Sequence, residues 1–380
     1  METKRICIVL TTRGSYGKFR RLMELIHADP DLELCLATGG SLVLEDQVIP
    51  EFDLYGWERI TSHFVLHGEN PVAMGKSTGL AVSEFVTAFW TLKPDIVLVV
   101  GDRYETIAAV IAAACLNIVV GHLEGGEVSG SIDEGIRHAC TQLAHVHFPC
   151  TDKSAERLRQ MGQKNVFMVG STSLDVLKNI KVNHDTLMDL QERSGSGPLI
   201  GTSKPFLLVI QHPVTTEYEL AYDQAQETIS AINSLKMPAI WICPNLDAGS
   251  DGIAKALREY RGTNPTFVHF FKGLPIEYFG MLLKATACVV GNSSAGIREC
   301  SFLGTPNVCV GNRQQGREFG DNTIIVRNMS FINAIIRNQT ETTYAKWHLY
   351  GDGNASKRIL SILKHEKFEV QKEFFESPKK

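Results

Sequence analysis

Acids, bases and glycines gather within residues 93–138 of this chain, KPDIVLVVGDRYETIAAVIAAACLNIVVGHLEGGEVSGSIDEGIRH. Two apolar runs there, residues 96–100 and 118–120, each end in charge and glycine: Gly101-Asp102-Arg103 and His122-Leu123-Glu124-Gly125-Gly126-Glu127. Short β-branched runs that are apolar on both faces read as buried parallel strands. Parallel α/β sheets bind ligands at the carboxyl ends of their strands. Asp102, Arg103, Glu105, His122, Glu124, Glu127, Asp133, Arg137 and His138 are therefore bunched where a substrate would sit. Carboxylates in unlike environments can divide into acid and base roles, so the chain reads as an enzyme. Taken in pairs, Asp133 with Arg137 and Asp102 with Arg103 read equally as buried structural ion pairs.

Five further segments carry the residue types of an anion site. Thr12-Arg13-Gly14-Ser15-Tyr16-Gly17-Lys18 lies between a strand and a helix, where backbone N–H groups and the helix dipole favour an anion. It matches neither the dinucleotide fingerprint nor the Walker pattern, and an ordinary strand-to-helix turn explains it as well. Residues 291–299, GNSSAGIRE, follow a strand and open a helix. Ser293 and Ser294 offer hydroxyls to a phosphate, and Glu299, one turn on, could accept the two hydroxyls of a ribose. A capping box explains the same pattern and is compatible with diphosphate binding. His212 in Gln211-His212-Pro213 ends another strand and could bind phosphate or move a proton. Asn245 in residues 244–250 and Arg313 in residues 311–318 also stand at strand ends, and an arginine there could reach a phosphate.

The elements that must position these residues alternate along the chain. Strands are expected at residues 5–10, 33–38, 96–100, 118–122 and 147–149, with helices at 16–27, 78–92, 104–116, 133–143 and 153–161. Residues 181–204 are polar and contain Ser-Gly-Ser-Gly-Pro, so they read as an interdomain loop. A second series follows. Its strands are at 206–211, 239–243, 266–270, 287–290 and 307–310, and its helices at 221–235, 253–260, 276–284, 296–302, 329–337 and 355–365. Two βαβ series imply an α/β chain of two Rossmann-like, doubly wound domains facing each other across a cleft. The expected boundaries are 1–180, 205–365 and a terminal segment, 366–380.

Composition narrows the function. The 380 residues are 44% hydrophobic and 21% charged, with a net charge of −4 and no block of like charge before Lys379-Lys380. That argues against a nucleic-acid footprint. The N-terminal apolar stretch is below the ~7–15 residues of a signal sequence, and no run reaches the ~18 needed to span a membrane. The nine cysteines include no CxxC pair and read as small buried hydrophobes in a reducing cytoplasm. No close pair of cysteine and histidine ligands suggests a metal.

Six of these segments, GDRYE, HLEGGEVSGSIDEGIRH, QHPVTTE, PNLDAGS, GNSSAGIRE and GNRQQGRE, occur in this order. Together they resemble the hydrolysing UDP-N-acetylglucosamine 2-epimerases of sialic-acid biosynthesis, including the epimerase half of the bifunctional vertebrate epimerase/kinase; no kinase half is expected here. The resemblance implies the two-domain fold called GT-B and conversion of UDP-N-acetylglucosamine and water to N-acetylmannosamine and UDP. It implies elimination to a glycal followed by hydration, with no cofactor or metal, and a homodimer or homotetramer. By motif position, Asp102, Glu124 and Asp133 match the family's catalytic carboxylates and His212 its phosphate-side histidine. Arg13, Arg103, Asn245, Ser293, Ser294, Glu299 and Arg313 match its nucleotide contacts. The family's usual T-R-A-D-Y is here Thr12-Arg13-Gly14-Ser15-Tyr16, and its Gly-x-His-x loop is Gly39-Gly40-Ser41-Leu42. Both departures lie on the sugar side. Alternatives are therefore a UDP- or GDP-linked 2,4-diacetamido-2,4,6-trideoxy sugar of the legionaminic-acid type, a non-hydrolysing epimerase, a GT-B glycosyltransferase, or a non-catalytic nucleotide-sugar sensor.

Overall fold

The computed structural model describes residues 3–44, 52, 55–66, 70–130, 132–244 and 247–372. It contains two parallel six-stranded sheets. In the first, β1 (Lys4–Leu10), β2 (Leu32–Thr38), β3 (Glu58–Thr61), β4 (Ile96–Val100), β5 (Val119–Leu123) and β6 (Val146–Phe148) lie in the order β3-β2-β1-β4-β5-β6. In the second, β7 (Leu207–Ile210), β8 (Ala239–Ile242), β9 (Val268–Phe271), β10 (Cys288–Gly291), β11 (Asn307–Val310) and β12 (Thr323–Val326) lie in the order β12-β11-β10-β7-β8-β9. Each sheet winds outward in both directions from its first strand. The strand-order reversal therefore falls between β1 and β4 in one sheet and between β7 and β10 in the other, which is where such sheets bind ligands.

Apart from β3 and β12, the strands are mostly apolar because both faces are covered. In β1, Ile6, Ile8 and Leu10 face the core that holds the helix Arg13–His27. Cys7 and Val9 face the helices Pro71–Leu92 and Tyr104–Cys115. Ala108, Ala109, Ala112 and Ala113 are fully buried, which lets that last helix lie close to its neighbours. Of the cysteines in apolar runs, Cys7, Cys288 and Cys309 are buried, Cys243 is half-buried, and Cys115, at this helix's final position, is exposed. Among the described residues no helix is long and apolar enough to cross a membrane.

Several boundaries differ from the sequence reading. β3 and β12 are edge strands with charged or half-exposed residues, so they carry little apolar signal. The helix expected at 78–92 begins at Pro71, because Asn70 caps it by accepting from the Ala73 amide at 2.9 Å; Gly75 and Gly79 had masked its first turns. Residues 184–193, read as part of a loop, form the helix His184–Arg193. It is capped by Asn183 and anchored by Gln191, whose side chain bonds both the amide (2.7 Å) and the carbonyl (3.0 Å) of Ile200.

The chain divides into one compact unit of Met1–Val128, Ile132–Val176 and Tyr350–Lys380, and a second of Ser129–Ser131 and Leu177–Leu349. The return to the first unit thus begins near Tyr350, not at 366. The helix Ala355–His365 belongs to the first unit because Ile359 and Leu363 are fully buried in its core, each contributing about 1.5–3 kcal/mol. Its N-terminus is fixed there too: Asp175 accepts from the amides of Ala355 (2.9 Å) and Ser356 (2.6 Å).

Candidate active site

In the first unit the loops that follow β1, β2, β4 and β5 converge at the carboxyl edge of the sheet. Thr12 and Ser15 form a reciprocal capping box at the start of the helix Arg13–His27. Ser15 Oγ accepts from the Thr11 and Thr12 amides at 3.1 and 3.0 Å and donates to the Thr12 carbonyl at 2.8 Å. The serine that replaces the usual acid is therefore occupied in holding the loop. The loop after β2 is equally closed. A side chain on Gly39 would place its Cβ 2.4 Å from the Phe64 ring, and one on Gly40, whose φ is +62°, would lie 2.6 Å from the Thr11 carbonyl. Ser41, next in line, donates to that carbonyl at 3.4 Å.

Glu124 stands directly after β5. It is buried, has a φ of +65°, and receives the Lys18 ammonium on Oε2 at 2.7 Å. A left-handed glutamate is strained backbone, and such strain concentrates at functional positions. Asp102 follows β4 and pairs with Arg137, a fully buried guanidinium that also donates to the Glu127 carbonyl at 2.8 Å. Arg103 does not pair with Asp102; it forks onto the buried Glu105 at 3.0 and 3.2 Å. Asp133 is the first residue of the helix Asp133–Leu143 and is half-buried, and Arg137 of that helix reaches Asp102 rather than Asp133. So of the two ion pairs read from sequence neighbours, Arg137 instead crosses to the loop after β4, and Arg103 stays local but takes Glu105, two residues on. Lys18, read from the sequence only as added charge, and Arg137, read as a partner of Asp133, are the cations set against the two strand-end carboxylates.

His122 lies behind these loops. It is fully buried, Nε2–H donates to the Gly101 carbonyl at 2.8 Å, and Nδ1 accepts from Thr141 Oγ at 3.3 Å. Burial lowers its pKa to about 4, and burial also holds His147 well below the ordinary value. The unfolded chain therefore binds protons near pH 6.5 that the native rings reject, and stability falls as pH drops from about 6.5 towards 4. His122 alone should cost about 2 kcal/mol at pH 5. Thermal melts at pH 7.5 and 5 check this, and an unchanged melting temperature would contradict it.

The second unit has its own site at the β7/β10 reversal. The loops after these strands are stitched by Asn292. Its Oδ1 accepts from the His212 amide at 2.7 Å, and its Nδ2 donates to the His212 carbonyl at 2.8 Å. The Asn292 carbonyl accepts from Gln314 Nε2 at 2.8 Å and from Arg313 at 3.3 Å, which joins the loop after β11. Gly291 is obligatory: its φ is +137°, and a Cβ there would sit 2.1 Å from the Ile210 carbonyl. Ser293 caps the turn Ser294–Gly296, and the helix Arg298–Leu303 follows. Glu299 is buried, with Oε2 lacking a hydrogen-bond partner among the described residues. An unsatisfied buried carboxylate oxygen is costly in a closed protein and suits a ligand hydroxyl. Sequence reasoning missed Asn292 and Gln314 as the clamp of this site. Asn245 lies outside the described residues.

A family model described as UDP-N-acetylglucosamine 2-epimerase matches residues 26–364. The chain belongs to that family. It is 32% identical over 376 residues to a Legionella pneumophila UDP-N,N'-diacetylbacillosamine 2-epimerase (hydrolyzing), covering 95% of this chain and 96% of that one. It is 33% identical over 332 residues to a Neisseria meningitidis UDP-N-acetylglucosamine 2-epimerase, covering 84% and 83%. Among solved structures, the Neisseria meningitidis UDP-GlcNAc 2-epimerase bound to UDP-GlcNAc has the same fold, with a TM-score of 0.74 at 18% identity over 95% of this chain and all of that one. Membership selects a nucleotide-sugar 2-epimerase over the glycosyltransferase reading, which rests on the same GT-B fold.

Proposed function

We propose that this chain is a hydrolysing 2-epimerase that converts UDP-N-acetylglucosamine and water to N-acetylmannosamine and UDP. The observation that carries the reading is the pair Asp102 and Glu124. They end adjacent parallel strands, about 4.8 Å apart, and each stands against a cation from another element. The reaction needs acid–base groups at two adjacent sugar carbons. In the first step the C2–H and C1–O bonds break, C1=C2 forms, and UDP leaves with the bonding pair. In the second, water supplies hydroxide to C1 and a proton reaches C2 from the opposite face. Glu124, Asp102 and Asp133 are the groups proposed to handle these protons and the developing charge at C1.

Departure of UDP leads the first step, because the C2 proton is poorly acidic. Cations and N–H groups on the diphosphate stabilise the charge that develops. Ser293, Ser294, His212, Arg13, Arg103 and Arg313 are proposed to do this, with Glu299 on the ribose and Asn245 beside the nucleotide. The chain's own residues supply all of these roles without a cofactor.

A second reading keeps the reaction and changes the sugar to a 2,4-diacetamido-2,4,6-trideoxy hexose on UDP or GDP. It is favoured by the sugar-side loops, where Ser15 is committed to a cap and Gly39 and Gly40 admit no side chain. Relatives of both kinds match at similar identity. Parallel assays of UDP release with UDP-N-acetylglucosamine, UDP-diacetylbacillosamine and its GDP counterpart decide between them by kcat/KM. Release from none of the three would overturn both readings.

A homo-oligomer belongs to the same proposal. On the helix Pro71–Leu92, Val72, Leu80 and Trp90 are exposed at 66%, 46% and 72%. Val72 and Trp90, Gly75 and Thr87, and Gly79 and Ser83 are placed symmetrically about position 81, and an antiparallel copy centred near there would bring Lys76 close to Glu84. Such a self-complementary face suits a two-fold pairing. Trp90→Glu is expected to shift a dimeric or tetrameric wild type to smaller species in sedimentation velocity. A monomeric wild type would contradict the assignment.

A further inference from the structure

The last described residues, which follow the helix Ala355–His365, form a strap over the first unit. It is latched at two points. His145 Nδ1 accepts from the Val120 amide at 3.0 Å, so its Nε2 carries the proton and donates to the Val370 carbonyl, also at 3.0 Å. Lys372 then inserts its ammonium at the C-terminal end of the helix Asp133–Leu143. It donates to the carbonyls of Thr141 (3.2 Å), Gln142 (2.7 Å) and Ala144 (2.6 Å). The final carbonyls of a helix have no partner within it, and a cation there also complements the helix dipole.

That helix is the mount for half of the proposed catalytic rim. Asp133 opens it and Arg137, one turn on, holds Asp102. A buried chain of hydrogen bonds runs the same way. Thr141, whose carbonyl Lys372 holds, donates through Oγ to His122, and His122 donates to the carbonyl of Gly101, the residue before Asp102. Three histidines, His122, His145 and His147, line this region. Burial is the leading cause that lowers all three, so they offer neutral donors and acceptors rather than competing charge.

We infer that Lys372 is a positioning residue for the reaction: the C-terminal strap clamps the helix Asp133–Leu143 and, through Thr141, His122 and Arg137, fixes the Asp102 carboxylate. The inference rests on the proposed epimerase reading for its kinetic consequence, but not for its structural one. A helix of 11 residues is about 16 Å long, so a clamp at one end can set the attitude of the other.

Lys372→Gln in the full chain is the test, with Lys372→Arg as the conservative variant and Thr141→Val as a break inside the chain of bonds. Lys372→Gln is expected to lower kcat about tenfold with KM and UDP affinity within twofold of wild type, and Lys372→Arg to recover most of that loss. Thr141→Val combined with Lys372→Gln should cost clearly less than the product of the single effects, because both act on one chain. Hydrogen exchange should speed up across residues 133–144, including the amides near Arg137. Wild-type kcat in Lys372→Gln, or faster exchange confined to residues 141–144, would overturn the inference while leaving the epimerase reading intact. If the wild type released UDP from no nucleotide sugar, that reading would fail, and the exchange pattern alone would decide the clamp.

Discussion

Glu124→Gln is expected to lower kcat by about 10²–10⁴-fold, the range that a positioned acid–base group contributes. The amide keeps the size of the carboxylate and can still accept from Lys18 on its oxygen, so the fold should survive. What it loses is the capacity to take a proton. The φ of +65° at this position is no better for glutamine than for glutamate, which means that stability selects neither. UDP affinity should stay within about twofold, because the groups proposed for the diphosphate and ribose are mainly in the other sheet's loops. Kinetics at saturating substrate and calorimetric titration with UDP separate the two effects. Turnover within fivefold of the wild type would remove Glu124 from the mechanism.

Asp102→Asn should combine a catalytic loss with a structural one. Arg137 is fully buried, and its partners include Asp102 and the Glu127 carbonyl. Neutralising Asp102 leaves that guanidinium with much of its charge uncompensated, and breaking a buried pair in this way costs about 3–5 kcal/mol. The lower end is expected, since the Asp102 side chain keeps 23% of its exposure and the asparagine oxygen still accepts. The loss in kcat should be at least 10²-fold beyond what partial unfolding explains, measured well below the transition. Thermal melts and kinetics on one preparation check both parts. A variant as stable as the wild type would mean that Arg137 does not depend on Asp102. A stable and fully active one would remove Asp102 from the proposed rim.

The two sheets were legible because a parallel strand covered on both faces is an uninterrupted apolar run, and ten of them stand out in the sequence. β3 and β12 were not, since an edge strand such as Glu58–Thr61 exposes most of its side chains and has no reason to be apolar. The polar helix His184–Arg193 was hidden for a related reason: only Leu187 and Gln191 are buried and Leu190 packs partly against the core, so its apolar stripe is narrow. In the site, the strand-end acids could be named because chemistry and position coincide there. Their partners could not. Lys18 is 106 residues from Glu124 and Arg137 is 35 from Asp102, whereas the sequence suggested neighbours such as Arg103. Pairing of charges across loops depends on the direction in which each loop leaves its strand. Glycines such as Gly291 and the left-handed Glu124 set those directions, and linear spacing does not encode them. The same limit applies to Lys372, whose role exists only because the chain returns to the first unit at Tyr350.

In the proposed reaction UDP is eliminated across C1–C2 and the sugar leaves as a free hexose inverted at C2. Incubation of the purified chain with UDP-N-acetylglucosamine in D₂O, followed by proton and carbon NMR, reads out both the bond cleaved and the proton exchanged. Stoichiometric UDP and free N-acetylmannosamine with one deuteron, at C2, are expected. If the sugar is the diacetamido one, the corresponding nucleotide sugar should give the same labelling. UDP release with protium retained at C2, or a product still attached to UDP, would contradict it.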